Sequence, residues 1–209
     1  MTFNTTSTMS TVASTEKAPT RLIVELPMRV FHSLMALSFT GAYITAESER
    51  FKLLHVSLGY VLFGLVIFRL LWGFWGPRQS SLTSTWRKLT LPQSFRQLLS
   101  VTLAGAALLT FGVAILLSAS GYLIYNELAG EWMGELHEFF GNSLLMLVFV
   151  HLAVIAFLSI TKQSQGLRPM WSGRKAGNGP DLAKSNHYVV ATLLSLGVIV
   201  FLWFQFTSN

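Results

Sequence analysis

The sequence predicts an all-α integral membrane protein, an up-and-down bundle of transmembrane helices, and three observations carry that prediction. Only 11% of the 209 residues are charged and 52% are hydrophobic, whereas soluble domains carry about 25% charged residues. Several apolar runs approach or exceed the roughly 20 residues needed to cross a hydrocarbon core. The polar breaks between these runs alternate in charge, basic on one side and acidic on the other, as topology signals do.

Residues 1–20 are Ser/Thr-rich and lack apolar periodicity, which predicts a disordered tail ahead of a single membrane domain over 21–209. No small-residue cleavage site follows the first apolar run, so a cleaved signal peptide is not expected. Pro27 stands where the first residues of a helix would be, opening a span over about 28–45. The link "AESER" leads to a second span over about 51–75, stopped by Gly76 and Pro77. A basic amphipathic connector precedes a third span over about 98–118, with Gly121 read as its end. An acidic loop with Glu127, Glu131 and Glu135 then leads into a fourth span over about 136–160. A second basic loop precedes the fifth, over about 188–206.

The charges sort by side. Arg21, Arg29, Arg69, Arg78, Lys88, Arg96, Lys162, Arg174 and their basic neighbours fall at the N-terminus or in the 2–3 and 4–5 connections. The opposite side holds Arg50 and Lys52 against Glu47, Glu49, Glu127, Glu131, Glu135 and Glu138. The excess of cations on cytoplasmic loops puts the N-terminus inside and, after five spans, the C-terminus outside. The net charge of +6 therefore sets topology, and no nucleic-acid partner is expected. The chain has no cysteine, which excludes disulfides, thiolate metal sites, iron–sulfur clusters and covalent haem attachment. Any metal must rest on His or carboxylate.

Topology gives each histidine a depth. His32 lies about a turn into span 1, near the inner face. His55 begins span 2 and His137 begins span 4, both near the outer face. His151 follows His137 by fourteen residues, almost four turns or roughly 21 Å along the same helix face. The four thus form two depth-matched pairs, His55 with His137 and His32 with His151. Ionisable groups inside a membrane are costly and mark function. Each imidazole might be thought merely to bond a neighbouring helix, but two matched pairs ask for a shared explanation. Facing helices of a bundle core can hold a haem between two neutral imidazoles, and this arrangement provides for that twice. Gly59 and Gly141 come one turn after His55 and His137, where a missing side chain lets a flat ring approach. Arg69, at the depth of the inner pair, and Arg29, beside His32, are candidates to meet haem propionates. His187, with no partner at its depth, is read as a packing or capping residue. Trp72, Trp75 and Trp171 are read as interfacial anchors, with Trp132 and Tyr125 near the outer loop.

The stretches "RVFHSLMALSFTGAYITAE", "HVSLGYVLFGLVIFRLLWGFWGPR" and "ELHEFFGNSLLMLVFVHLAVI" resemble the bacterial cytochrome b561 family, in its branch similar to the cytochrome b subunit of nickel–iron hydrogenases. The resemblance covers about residues 26–174. It implies a four-helix core holding two b-type haems, one near each face, with His32, His55, His137 and His151 as axial ligands and a fifth span beside them. It also implies electron transfer in a bacterial inner membrane between quinone or quinol and a redox partner. That partner would be a periplasmic cytochrome c or a dehydrogenase or hydrogenase-type subunit. Two other readings compete. A non-redox anchor or assembly subunit would use the histidines only to link helices. A zinc enzyme or transporter would bind metal directly, but "HEFFGNS" lacks the second His of an HExxH site, Gly141 standing in its place.

Overall fold

A computed structural model describes residues 19–75, 95–161, 168–183 and 185–208. The elements run β1 (Thr20–Leu22), α1 (Leu26–Thr45), α2 (Lys52–Trp75), α3 (Phe95–Tyr125), α4 (Trp132–Ile160), a short α5 (Arg168–Ser172), β2 (Arg174–Ala176) and α6 (Tyr188–Thr207), with a turn of 3₁₀ helix at Glu49–Phe51. Among the described residues, four segments are long and apolar enough to cross a membrane: Glu49–Trp75, Val101–Tyr125, Trp132–Ile160 and Tyr188–Thr207; α1, the first span of the sequence reading, is not one of them. The 20-residue α1 lies against α2 and α6 and bears Arg29 and His32 in its first turns. Phe149, Ile160, Val189 and Trp203 are exposed, an apolar outer surface suited to lipid rather than water.

The helices pack in a particular pattern. α1 rests on α2, α2 on α3, and α3 on α4 along its length, while α4 makes at most marginal backbone contact with α1 and α2. Side chains bridge that slot. Phe39, Leu62, Val66, Ala114, Leu117 and Leu144 form a buried cluster at the middle of the bundle. A second cluster of Phe31, Val61 and Leu65 takes in Leu194, Val198 and Phe201 and so fastens α6 to the α1–α2 face. The histidine pairs lie above and below the first cluster.

Three boundaries differ from the sequence reading. α3 does not stop at Ser118 but continues through Gly121 to Tyr125, and α4 starts at Trp132, leaving a short loop in which Glu127 has φ 55°. Gly121 is no helix terminator: a Cβ there would lie 2.9 Å from Cε1 of His137. Its missing side chain serves close approach, not a left-handed turn. Thr20, placed by sequence in the tail, belongs to a two-stranded antiparallel sheet in which Thr20, Arg21 and Leu22 pair with Ala176, Lys175 and Arg174. Residues 1–18 of the expected tail and the stop at Gly76–Pro77 lie outside the described residues, as does most of the basic 2–3 connector.

The sheet is part of a strap over the start of α1. The Gly173 carbonyl accepts the amides of Ile23 and Val24, and the Asp181 carboxylate accepts the Leu22 amide at 2.5 Å. Gly173 has φ +75°, and a Cβ on it would lie 2.8 Å from the Val24 carbonyl oxygen. Only glycine fits both that backbone and that contact.

Candidate functional site

The structure brings the four histidines together as two pairs. The His55 and His137 ring centres are 6.2 Å apart, and those of His32 and His151 are 6.4 Å apart. A metal held at about 2 Å by one nitrogen of each of two opposed imidazoles separates their ring centres by roughly 6 Å. Both pairs fit that separation. Among the described residues no three His, Asp or Glu side chains converge on a common point, so the donor set suits a metal whose other ligands come from a macrocycle.

The chemistry at the His55–His137 end is well defined. Nδ1 of His55 lies 2.8 Å from the Ala42 carbonyl. A carbonyl only accepts, so the ring proton is on Nδ1, and Nε2 keeps its lone pair. Nδ1 of His137 lies 3.0 Å from the Ser120 hydroxyl oxygen, and that hydroxyl donates its own proton to the Leu117 carbonyl at 3.0 Å. Ser120 therefore accepts from Nδ1–H, and His137 has the same tautomer as His55. Such outer partners fix the ring and raise its basicity as a ligand. Sequence reasoning missed Ser120 because a serine one turn from a helix end has many ordinary roles. It misread Gly121 for the reason given above.

A cavity of about 670 Å³ surrounds this pair, lined among others by Gly59, Gly141, Tyr60, Tyr122 and Gly121. Its volume is within the range of about 300–1,000 Å³ typical of cofactor-sized sites. A Cβ on Gly59 would meet nothing within 4 Å, and one on Gly141 would meet only Leu117 Cδ1 at 3.9 Å. Open space thus borders both glycines on the cavity side. The rim is polar: Glu47, Glu49, Glu127 and Glu138, with Lys52, line its mouth. Tyr43 on α1 donates to Asn142 on α4 at 2.9 Å, tying the two sides of the slot together.

The His32–His151 end is built differently. Neither ring has a hydrogen bond among the described residues. A smaller cavity of about 170 Å³ adjoins His32, lined by Ile23, Val24, Glu25, Met28, Phe31, Arg69 and Met170. Arg69 Nη1 is buried with no hydrogen-bond partner, leaving a guanidinium donor free for an anionic group. Arg29 is used otherwise, donating from Nη1 to the Trp171 carbonyl at 2.6 Å. His187 stands at the start of α6 with φ 40° and makes no side-chain cap; its Nε2 lies 2.8 Å from the Ser185 hydroxyl. Trp75 and Trp171 are exposed, as interfacial anchors would be. Trp72 is not: it stacks on Phe68 and meets His187 edge-on at 5.6 Å, with its indole nitrogen buried and unpartnered.

Residues 23–173 match the family described as prokaryotic cytochrome b561. The chain belongs to that family. It is a multi-pass membrane protein and a haem-b electron-transfer protein, and the paired imidazoles are candidates for the donors that such a haem needs. No curated protein and no solved structure matches the chain.

Proposed function

We propose that the protein is a di-haem b-type cytochrome that carries electrons across a bacterial inner membrane between the quinone pool and a periplasmic redox partner. The observation that carries this reading is the repetition of one motif: two imidazole pairs with ring centres 6.2 and 6.4 Å apart at opposite ends of the bundle. Bound haem b supplies the one-electron chemistry, and the chain supplies ligands, orientation and charge. His55 and His137 offer Nε2 to one iron, their rings held by Ala42 and Ser120. His32 and His151 offer the second site, roughly 21 Å further along α4 by helical rise. Arg69, with its free donor, would pair with a propionate at that second site, and Arg29 adds positive charge nearby.

The cation excess on the N-terminal side and in the 2–3 and 4–5 connections supports a cytoplasmic N-terminus and a periplasmic C-terminus. The His55–His137 end then faces the periplasm. Its acidic rim suits a cationic partner, a cytochrome c or a dehydrogenase or hydrogenase-type subunit, because complementary charge speeds encounter. The reading is tested by reducing the purified haem-replete protein with a quinol. It predicts that quinol reduces the b haems and that a basic c-type cytochrome reoxidises them faster at low salt than at high salt. A protein inert to quinol would contradict it.

A further inference from the structure

Glu25 is the residue whose surroundings the foregoing leaves unexplained. It is only 2% exposed, both carboxylate oxygens are buried outside hydrogen-bond geometry although the Trp72 indole N–H is close enough to act on them, and although Glu25 precedes α1 its side chain does not cap the helix. It lines the cavity beside His32, opposite apolar walls from Ile23, Val24, Met28, Phe31 and Met170. An ionised carboxylate left bare in such a place is costly. Burial accordingly pushes the Glu25 carboxyl above its ordinary range, against the smaller opposing effects of the His187 charge and the Trp72 indole. No helix cap and no ion pair among the described residues accounts for an acid in this position.

The elements packed around Glu25 carry these charged and titratable groups. On its own helix the charged and titratable groups are Arg29, turned to the Trp171 carbonyl, and His32 across the cavity. On α2 they are confined to Arg69, beside Trp72. At the start of α6 stands His187, exposed to solvent, packed edge-on against Trp72 and bonded at Nε2 to Ser185. The strap contributes only Ile23, Val24 and Met170 to the cavity wall. A buried acid thus lines a small, mostly apolar cavity next to a histidine pair.

We propose that Glu25 is the proton-exchanging residue for quinone chemistry at the His32–His151 end. The proposal rests on the di-haem quinone reading above. A quinol that loses two electrons to the cytochrome also loses two protons. Glu25 takes one of them from a quinol hydroxyl onto a carboxylate oxygen and releases it to water, and the second leaves from the other hydroxyl directly to water; in the opposite direction Glu25 returns its proton. Arg69 keeps the propionate role proposed above.

The experiment uses the haem-replete full chain, a short-chain quinol as donor and ferricyanide as acceptor, with Glu25→Gln and Glu25→Asp as variants. General acid–base residues contribute about 10²–10⁴-fold, so Glu25→Gln should slow quinol oxidation by about a hundredfold. It should also abolish the rise of rate with pH while haem content and dithionite reduction stay normal. Glu25→Asp should recover part of the rate. A carboxylic-acid C=O band in the reduced-minus-oxidised infrared difference spectrum should vanish in Glu25→Gln, a readout independent of turnover. Wild-type turnover with an unchanged pH profile and an unchanged infrared spectrum in Glu25→Gln would overturn the proposal and leave the quinone reading standing. A wild-type protein that holds haem yet never reacts with quinol would overturn both.

Discussion

At one end of the bundle His55 and His137 each have Nδ1 occupied, by the Ala42 carbonyl and by Ser120, and Gly121 lets the His137 ring lie against α3. At the other end His32 and His151 stand at nearly the same separation with no hydrogen bond among the described residues, next to Glu25 and Arg69 with buried polar atoms unpartnered. The first pair is held by backbone and hydroxyl acceptors from its own bundle and opens to an acidic rim. The second is held by packing alone, under a strap that joins β1 to the 173–183 segment. The same imidazole geometry is thus supported in two ways. One end has its imidazole tautomers fixed and an acidic mouth; the other has a free guanidinium donor and a buried acid. On the function proposed above, the difference follows from what each end would exchange, electrons with a protein at one and electrons with protons at the other.

Several substitutions would break or sharpen that comparison. The largest effect is expected from His55→Ala or His137→Ala, each of which should remove one haem per chain while sparing the other; His32→Ala or His151→Ala should do the reverse, as a pyridine haemochromogen count would record. Next comes Gly121→Val, which drives atoms into a contact already at 2.9 Å for a Cβ. Overpacking of this kind costs about 1–3 kcal/mol and falls on the His137 ring, so the low-spin signal of that end alone should weaken in the paramagnetic resonance spectrum.

Ser120→Ala removes the acceptor of His137 Nδ1–H and should weaken haem retention at the same end by about 10–100-fold, measured by haem transfer to apomyoglobin. The His32–His151 end should not respond. Arg69→Met acts at the opposite end: loss of a cation that hydrogen-bonds a propionate should lower one midpoint potential, by roughly 1–2 kcal/mol, and leave the other in place in a redox titration.

The smallest effect concerns Glu25. Its carboxyl is raised from an ordinary value of 4.5 by burial, so between that value and its folded value the native chain holds a proton that the unfolded chain has lost. Stability must therefore fall as pH rises through this window. Glu25→Gln should flatten the fall in thermal melts followed from pH 4 upward, and a melt whose pH slope is unchanged would show that Glu25 is not held neutral.

Much of this was legible in the sequence because it rests on local periodicity. The helical rise alone puts His137 and His151 on one face, and charge bias assigns His32 to the depth of His151 and His55 to that of His137, so both pairs follow from spacing and topology. The supporting groups do not. The Ala42 carbonyl is available to His55 only because α1 and α2 pack together, and Ser120 meets His137 only across the α3–α4 contact. Gly121 obeys the rule that glycine ends helices until the neighbouring ring is seen. Glu25 looks like one more polar residue before a helix until the strap buries it. Strands of three residues, such as β1 and β2, are too short to show a period at all.

The most direct test of the central claim is the number of haems per chain in the purified wild-type protein, counted by pyridine haemochromogen and paired with a redox titration of the b-band. The two-pair account predicts two b haems per chain, both low-spin, titrating with two separable midpoints. A folded, haem-replete preparation with a single haem would contradict it, since one of the two histidine pairs would then have no iron to hold.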